Sequence, residues 1–218
     1  MAQQERAVRT RDALIESAAE MFDRHGFARA SLSAISARAG VSNGALHFHF
    51  GCKASLADAV SIEAAHRLAR ITNSGDLAPG GALQLLIDAT HAVVRGLGRD
   101  AVLRAGFDPG RHLGSPGPAA GARRIWRAWV EDVLLKAGRE GAIARDVPAD
   151  TVAATVVAVT MGFGVLGRQD GYDVDEDGEG RDGQVGAVTW FWGLLLPQLA
   201  ADTVLGDLVA SGTPAGAH

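Results

Sequence analysis

Apolar residues recur every three or four positions along most of this chain, which is the spacing of helices that bury one face. In residues 10–25 the inner stripe includes Leu14 and Phe22, and Gly26 closes the predicted helix. The glycines and prolines between residues 106 and 121 predict a loop. The pattern predicts an all-α fold, with further helices over residues 55–72, 82–98, 122–137 and 183–199 and an apolar run over 150–165.

The last of these helices is apolar on every side, because Trp190, Phe191, Trp192 and three leucines leave too few polar residues for a solvated face. A helix of that kind needs a partner all round, which predicts a subunit interface. The residues before it, 170–183, are predicted to form an acidic loop.

Two short helices are predicted between Ser31 and Phe50. Leu32 and Ile35 recur at helical spacing, and Gly40 supplies the backbone freedom that ends the first helix. Ser42 is a good N-cap for the second helix. Two short helices joined by a turn that contains glycine make a helix-turn-helix, whose second helix enters the DNA major groove.

The exposed positions of that second helix carry small or hydrogen-bonding residues, which suit close approach to a duplex. These positions are Ser42, Asn43, Gly44, His47 and His49. The alternative is a helical hairpin that only packs within the protein.

The fourteen residues from Gly40 to Lys53 resemble the recognition-helix signature of TetR-type repressors, in particular the γ-butyrolactone autoregulator receptors. The resemblance implies a helix-turn-helix DNA-binding domain at residues 1–54 and a larger helical ligand-binding and dimerisation domain at 55–218. It also implies a homodimeric repressor of double-stranded, palindromic operator DNA. A small γ-butyrolactone, furan or butenolide signal would release it from antibiotic-biosynthesis genes, and no cofactor is implied.

The resemblance also places residues of the second helix on DNA-contact positions. Asn43 stands where the family usually has lysine, and His47 where it usually has tyrosine. Because that lysine is absent, Lys53 is predicted to be the main phosphate anchor. The predicted DNA-binding residues are Arg6, Arg9, Ser31, Ser33, Ser42, Asn43, Gly44, His47, His49 and Lys53.

Arg6, Arg9 and Arg11 precede or open the first predicted helix. They form an arm that could follow the DNA backbone or the minor groove. The alternative is a basic terminus in solvent.

For the effector, the resemblance aligns Trp126 with a tryptophan that lines the ligand pocket of the γ-butyrolactone receptors. Thr160 aligns with a position where some relatives have a hydroxyl that reaches the ligand carbonyl. Ala64 replaces a glutamine of some relatives, so one polar contact is missing. The alternatives are a core tryptophan at 126 and a hydroxyl at 160 that bonds its own helix backbone.

The net charge of −4 alone argues against a general nucleic-acid binder. However, the net charge is +1 for residues 1–60, +3 for residues 61–144 and −8 for residues 145–218. The excess of acidic residues therefore lies away from the predicted DNA-binding helices. The sequence has no uninterrupted apolar window long enough for a membrane span, so none is predicted. The first residues lack the apolar core of a signal peptide, so export is not predicted. The single Cys52 excludes an internal disulfide and fits a reducing cytoplasm.

Gly162–Gly167 matches the dinucleotide-binding fingerprint, and Asp182 lies about twenty residues further on. Such a site requires a strand before the glycines and a helix after them, whereas a polar loop is predicted to follow here. Close helix packing at small residues is the favoured interpretation.

Asp173–Gly178 copies the first half of a calcium-binding loop. The twelfth position is Gln184, whose neutral amide cannot replace the bidentate glutamate of such a loop. We therefore favour a disordered acidic loop.

The sequence offers little for catalysis or metal binding. His47 and His49 are two residues apart on a helix and point in different directions, so they make a poor metal pair. Cys52 is a lone thiol, and no nucleophile elbow or catalytic acid pair is present. An enzyme that acts on a lactone or another apolar substrate in the C-terminal region is the alternative function, and the prediction is that the chain is not an enzyme.

Overall fold

The computed structural model describes residues 2–73, 81–107, 121–169 and 179–213. Within these ranges the fold is all-α, as predicted, and the only β-type pairing is an isolated bridge between Ile143 and Ala200. The helices are α1 Ala2–Arg29, α2 Leu32–Arg38, α3 Asn43–His49, α4 Lys53–Asn73, α5 Gly81–Arg99, α6 Ala101–Phe107, α7 Gly121–Arg139, α8 Ala149–Gln169, α9 Glu179–Leu199 and α10 Asp202–Leu205.

The chain divides into two compact units. The first unit combines Met1–Arg67 with Asp100–Arg124, and the second combines Leu68–Arg99 with Ile125–His218. The predicted division into domains 1–54 and 55–218 concerns function and stays a prediction. None of the described helices is long and apolar enough to cross a membrane.

Helix α1 begins eight residues earlier than residue 10, so the prediction of an N-terminal arm is wrong. Residues 2–9 are mostly good helix formers, and Glu5 lies in the first turn, where a carboxylate favours the helix dipole. Arg9 Nη2 also lies 3.6 Å from Glu5 Oε2, one helical turn away. Arg6 and Arg9 are therefore presented by a helix. Near the other end, Gly26 interrupts α1 with φ 75° and ψ 156°.

The two short helices form as predicted, and the predicted cap at Ser42 is joined by a second serine cap at Ser31. The Ser31 hydroxyl accepts a hydrogen bond from the Ala34 N–H at 3.1 Å and begins α2. Gly40 has φ 67°, a left-handed conformation that glycine adopts without strain. The Ser42 hydroxyl accepts from the Ala45 N–H at 3.1 Å and begins α3.

Helix α6 lies partly where a loop was predicted, because Gly106 and Phe107 are its last residues. Asp100 begins it, since its Oδ1 accepts hydrogen bonds from the N–H groups of Val102 and Leu103 at 2.9 and 3.0 Å. The helix packs extensively on α1. Arg104 Nε donates to Asp23 Oδ2 at 2.9 Å and joins the two helices.

In the second unit, α5 packs against α8 and α9. One stripe of α5 is polar and binds the chain that follows α10. Gln84 exchanges two hydrogen bonds with the Val209 backbone, at 2.8 and 3.2 Å. Asp88 accepts from the N–H and the hydroxyl of Thr213, both at 2.8 Å. His91 Nε2 lies 2.9 Å from the Ala210 carbonyl oxygen.

Helix α9 begins at Glu179, so the predicted acidic loop ends earlier than residue 183. The helix is buried along one side, at Trp192 and Leu196, and exposed along another, at Trp190 and Leu194. The exposed fractions of Trp190 and Leu194 are 70% and 59%. A single chain thus leaves an apolar face of α9 in solvent.

The fold tests one of the two alternative motifs, the dinucleotide-binding fingerprint. Gly162–Gly167 lies within α8, with no strand before the glycines, so the dinucleotide site lacks its required context. Asp173–Gly178, the calcium-loop candidate, lies outside the described residues.

Candidate nucleic-acid interface and effector site

The outward face of α3 carries Asn43, Gly44, His47 and Phe48, all exposed, whereas Leu46 is fully buried. The buried side chain of Leu46 packs into the first unit, and this fixes which face of α3 points outward. His49 is only partly exposed and lies beside the outward face. The predicted contact residues of α3 therefore share one accessible surface apart from His49 at its margin.

Asn43 is tied to the helix before it. The Ser36 hydroxyl donates to Asn43 Oδ1 at 2.6 Å, and Ser36 itself is buried. The bond fixes the orientation of the amide and leaves its NH₂ group as the freer end, which is a donor. Such a donor suits an acceptor atom on a base edge or a phosphate oxygen.

Ser31 and Ser33 lie together at the start of α2, where their hydroxyl oxygens are 3.1 Å apart. Both residues are exposed. Ser31 already caps the helix, so its hydroxyl has a structural role whether or not it touches DNA. The pair stands at the positive end of the helix dipole, which favours an approaching phosphate.

Lys53 is held inside the first unit. Its ammonium donates to the carbonyl oxygens of Phe27, Ala28 and Ala30 at 2.7, 3.3 and 2.8 Å. It also lies 4.3 Å from the centre of the Phe27 ring. An ammonium has three N–H donors, and this geometry occupies all three. The predicted role as phosphate anchor stays a prediction, and it requires Lys53 to give up bonds that it makes here.

Phe48 is the residue of this surface that sequence reasoning missed. Its side chain is 82% exposed, and its ring meets the His49 ring edge-on at 5.2 Å. Aromatic residues at helical spacing normally indicate a core, so the pattern alone assigns Phe48 to the interior. Its position four residues after Gly44 was the available signal, because residues four apart share one face.

The charge of this region suits a polyanion. Between Arg24 and Ala57 the sequence contains no aspartate or glutamate, while Arg24, Arg29, Arg38 and Lys53 are basic. A groove of about 490 Å³ runs between α1 and α3. It is lined by Arg6, Thr10, Ser42, Phe48 and His49, among others. The N-terminal arginine and the outward face of α3 thus border one concave surface.

Known proteins match both this region and the whole chain. Residues 14–60 match the family described as bacterial regulatory proteins, tetR family. The A-factor receptor protein of Streptomyces griseus is 30% identical over 219 residues, which cover 97% of this chain and 71% of that protein. The chain belongs to the TetR family.

Solved structures agree with this family over nearly the full length of the repressor. A γ-butyrolactone receptor described as ArpA-like is 30% identical, with a TM-score of 0.73, and the match covers 94% of this chain and 95% of the other. CprB of Streptomyces coelicolor, in complex with its operator sequence, is 30% identical, with a TM-score of 0.74 and 94% of both chains covered. Family members bind operator DNA as dimers and respond to small molecules.

The repressor is thus a ligand-responsive transcription regulator, as predicted. Its relatives are regulators and not enzymes, which confirms the prediction against catalysis. Among the described residues no group of three histidine, cysteine, aspartate or glutamate side chains could hold a metal ion.

Of the predicted effector residues, Trp126 is the more informative. It lies on α7 and is fully buried, yet its indole N–H has no hydrogen-bond partner among the described residues. Its ring stacks on that of Trp129, with centres 5.3 Å apart and planes at 14°. Buried N–H groups are nearly always hydrogen-bonded, so this donor requires an explanation, as does the indole N–H of the equally buried Trp192 on α9.

Thr160 on α8 is also fully buried, and its hydroxyl donates to the Val156 carbonyl of its own helix at 2.7 Å. This is the alternative that sequence reasoning left open for Thr160. A hydroxyl that donates to its own backbone can still accept a hydrogen bond, so a ligand donor could reach it.

Ala64 lies on α4 and is fully buried. A Cβ atom on Gly106 of α6 would stand only 2.3 Å from the Ala64 Cβ, so the two helices touch closely at this point. The small side chain at 64 is required by that contact, because a glutamine here would collide with α6.

Cys52 is exposed beside α4. Hydrogen bonding by the Ser55 backbone and side chain lowers the pKa of its thiol. Its Sγ lies 3.8 Å from the Ser55 hydroxyl oxygen, and no second thiol exists in the chain to resolve an oxidised form.

Proposed function

We propose that this repressor reads a palindromic operator with Arg6, Arg9, Ser31, Ser33, Ser42, Asn43, Gly44, His47, His49 and Lys53. The effector that releases it is a small γ-butyrolactone, furan or butenolide, bound at Trp126 and Thr160. The genes it controls are those of antibiotic biosynthesis, and it acts in the cytoplasm on chromosomal DNA.

The buried, unpartnered indole N–H of Trp126 is the observation that carries the effector part of the proposal. A ligand carbonyl would satisfy this donor, and the flat indole gives an apolar wall for an alkyl tail. Leaving the donor unpaired costs about 1–3 kcal/mol, so a ligand that supplies an acceptor gains that difference on binding. Lactones combine a carbonyl acceptor with an apolar body.

The DNA part rests on the exposed face of α3 and the absence of carboxylates between residues 24 and 57. Direct side-chain contacts from Asn43 and His47 would select bases, while Arg6, Arg9 and the two serines of α2 would hold the backbone. In a two-fold dimer the two α3 helices lie in successive major grooves, so each operator half-site is the inverted copy of the other.

The exposed apolar face of α9, at Trp190 and Leu194, supports a homodimer built on this helix. Exposure of tryptophan and leucine side chains on one helix face to water is unfavourable. A second copy that covers them removes this apolar surface from water and so lowers the free energy. Because a C2 interface uses the same patch twice, Trp190 of each protomer lies in it.

Selection of bound DNA from a random pool, repeated with candidate lactones, tests the proposal. The expected product without ligand is an inverted repeat whose half-sites lie one helical turn apart. The lactones should deplete that product, whereas matched open-chain hydroxy acids should not. Enrichment of no common sequence would contradict the DNA assignment, and a sequence that every lactone leaves bound would contradict the effector assignment.

A further inference from the structure

Phe48 and Gly44 lie one above the other on the outward face of α3. Residues four apart on a helix are neighbours on its surface, and His47 flanks the same stripe. Phe48 is 82% exposed, which is the largest exposed fraction of any large apolar side chain in the described residues. Its ring meets the His49 ring at 5.2 Å with an interplanar angle of 84°, so its direction is supported from within the helix.

Gly44 has no internal reason to be glycine. Its φ is not in the left-handed region, and an added Cβ would meet only the Ser42 hydroxyl oxygen, at an ordinary 3.7 Å. Glycine inside a helix weakens it relative to alanine. A glycine that the fold does not require, beside an exposed phenylalanine, indicates that something from outside approaches the backbone closely here.

We propose that Phe48 and the gap at Gly44 form a site for the C5-methyl group of a thymine in each operator half-site. This inference rests on the proposed function, because it needs α3 to lie in the major groove. The thymine methyl is the apolar group that base pairs present there, and phenylalanine is among the side chains suited to contact it. The bare backbone at Gly44 lets the base edge come near enough for ring and methyl to touch.

The surroundings favour a base over an apolar protein partner. The helix-turn-helix region from Arg24 to Ala57 has no carboxylate and carries four cations, of which Arg38 is paired with Glu20 of α1. Phe48 also lines the groove that contains Arg6 and Thr10 of α1. A nucleotide in this groove has its phosphate near a cation and a hydroxyl, and its base edge near the phenylalanine ring.

The test replaces thymine by deoxyuridine, which lacks only the methyl group, at each position of the selected operator in turn. Wild-type protein should lose about fourfold in affinity per half-site at one symmetric pair of positions, as expected for one buried methyl group. Phe48→Ala should weaken binding to the thymine operator and bind the two operators equally, because its partner for the methyl is gone.

Two further variants complete the cycle. Gly44→Ala meets no internal obstacle, so it should fold normally and bind less tightly, with most of the thymine preference lost. Phe48→Leu keeps an apolar side chain and should retain part of the preference. Circular dichroism and the melting temperature of each variant show that folding is intact, which the exposure of Phe48 leads us to expect.

Some outcomes would overturn the inference alone. If wild-type protein binds the operator and no deoxyuridine substitution weakens it, Phe48 does not read a methyl group. The same conclusion follows if Phe48→Ala keeps the full thymine preference. Failure of wild-type protein to enrich any DNA sequence is a different result, because it would remove the proposed function itself.

Discussion

The Lys53 ammonium donates a 2.8 Å hydrogen bond to the Ala30 carbonyl oxygen and so joins the start of α4 to the segment between α1 and α2. Together with its bonds to the carbonyl oxygens of Phe27 and Ala28, this bond holds the start of α4 against the end of α1. The cation neutralises carbonyl dipoles at the end of α1, where positive charge is favourable.

We predict that Lys53→Met lowers the free energy of unfolding by roughly 1–3 kcal/mol, because three carbonyls lose a charged donor. Lys53→Arg should restore part of the loss, since a guanidinium is also a cation with several donors. Urea unfolding measures the stability, and operator affinity at several salt concentrations measures the number of phosphates contacted. A salt dependence that stays unchanged in the variants would assign Lys53 to the structural contact alone and remove it from the proposed DNA contacts. A slope flatter by about one phosphate would instead support the phosphate-anchor role.

Arg104 and Asp23 hold α6 on α1 through a pair whose side chains are only 19% and 11% exposed. We predict that Arg104→Met and Asp23→Asn each destabilise the protein by roughly 1–3 kcal/mol, because each leaves a largely buried charge with fewer partners. The double variant should lose less than the sum of the two. Strict additivity of the two losses in urea unfolding would show that the residues do not interact.

The prediction of α6 failed for a physical reason. Its seven residues are too short for hydrophobic periodicity to stand out, and contacts with α1 stabilise it more than its own sequence does. The N-cap at Asp100 was a visible signal, yet a single acidic residue is common before loops as well. Helices with long stripes, such as α4 and α5, could be located to within a few residues.

For the DNA surface, the two short helices and the cap at Ser42 could be predicted, because Gly40 and Ser42 act through local geometry. The roles of Lys53 and Phe48 could not be derived in this way. Which atoms the Lys53 ammonium meets depends on residues more than twenty positions earlier, and the exposure of Phe48 depends on how α3 is turned by the burial of Leu46.

His91 makes the second unit sensitive to acid. Burial lowers the pKa of its imidazole below the ordinary value of 6.5, and Arg95 adds to this, while the Ala210 carbonyl and Asp88 act in the opposite direction. Because Nε2 faces a carbonyl oxygen, it carries the proton, and Nδ1 is buried without a partner among the described residues. Protonation of Nδ1 would therefore place a charge where nothing described accepts its hydrogen bond.

The sign of the pH effect follows from this lowered pKa. Well above pH 6.5 the imidazole is neutral in the folded and the unfolded chain, and its contribution to stability is complete. Below that value the unfolded chain takes up the proton first, so stability falls as the pH approaches the folded pKa. We predict that the urea midpoint falls less between about pH 7.5 and about pH 5.5 in His91→Gln than in the wild type. An identical fall in both proteins would exclude His91 as the source.

The exposed face of α9 predicts the oligomeric state. We expect Trp190→Glu to give a folded monomer that binds the operator about a hundredfold more weakly. A monomer has a single helix-turn-helix, which contacts only one half-site. Ile62→Glu, at an apolar residue of α4 that is 49% exposed, is the matched control and should stay dimeric. Sedimentation velocity distinguishes the two, and a dimeric Trp190→Glu would place the interface elsewhere.

The most direct test of an effector site at Trp126 is release of the selected operator by a γ-butyrolactone, titrated in wild-type protein, Trp126→Phe and Trp129→Phe. Phenylalanine keeps an aromatic wall at residue 126 and removes the unpartnered indole N–H. Wild type and Trp129→Phe should release DNA at similar lactone concentrations. Trp126→Phe should bind the operator equally well and need about tenfold more lactone, the equivalent of one lost hydrogen bond. Equal release by all three proteins, or no release from the wild type by any lactone, would contradict an effector site at Trp126.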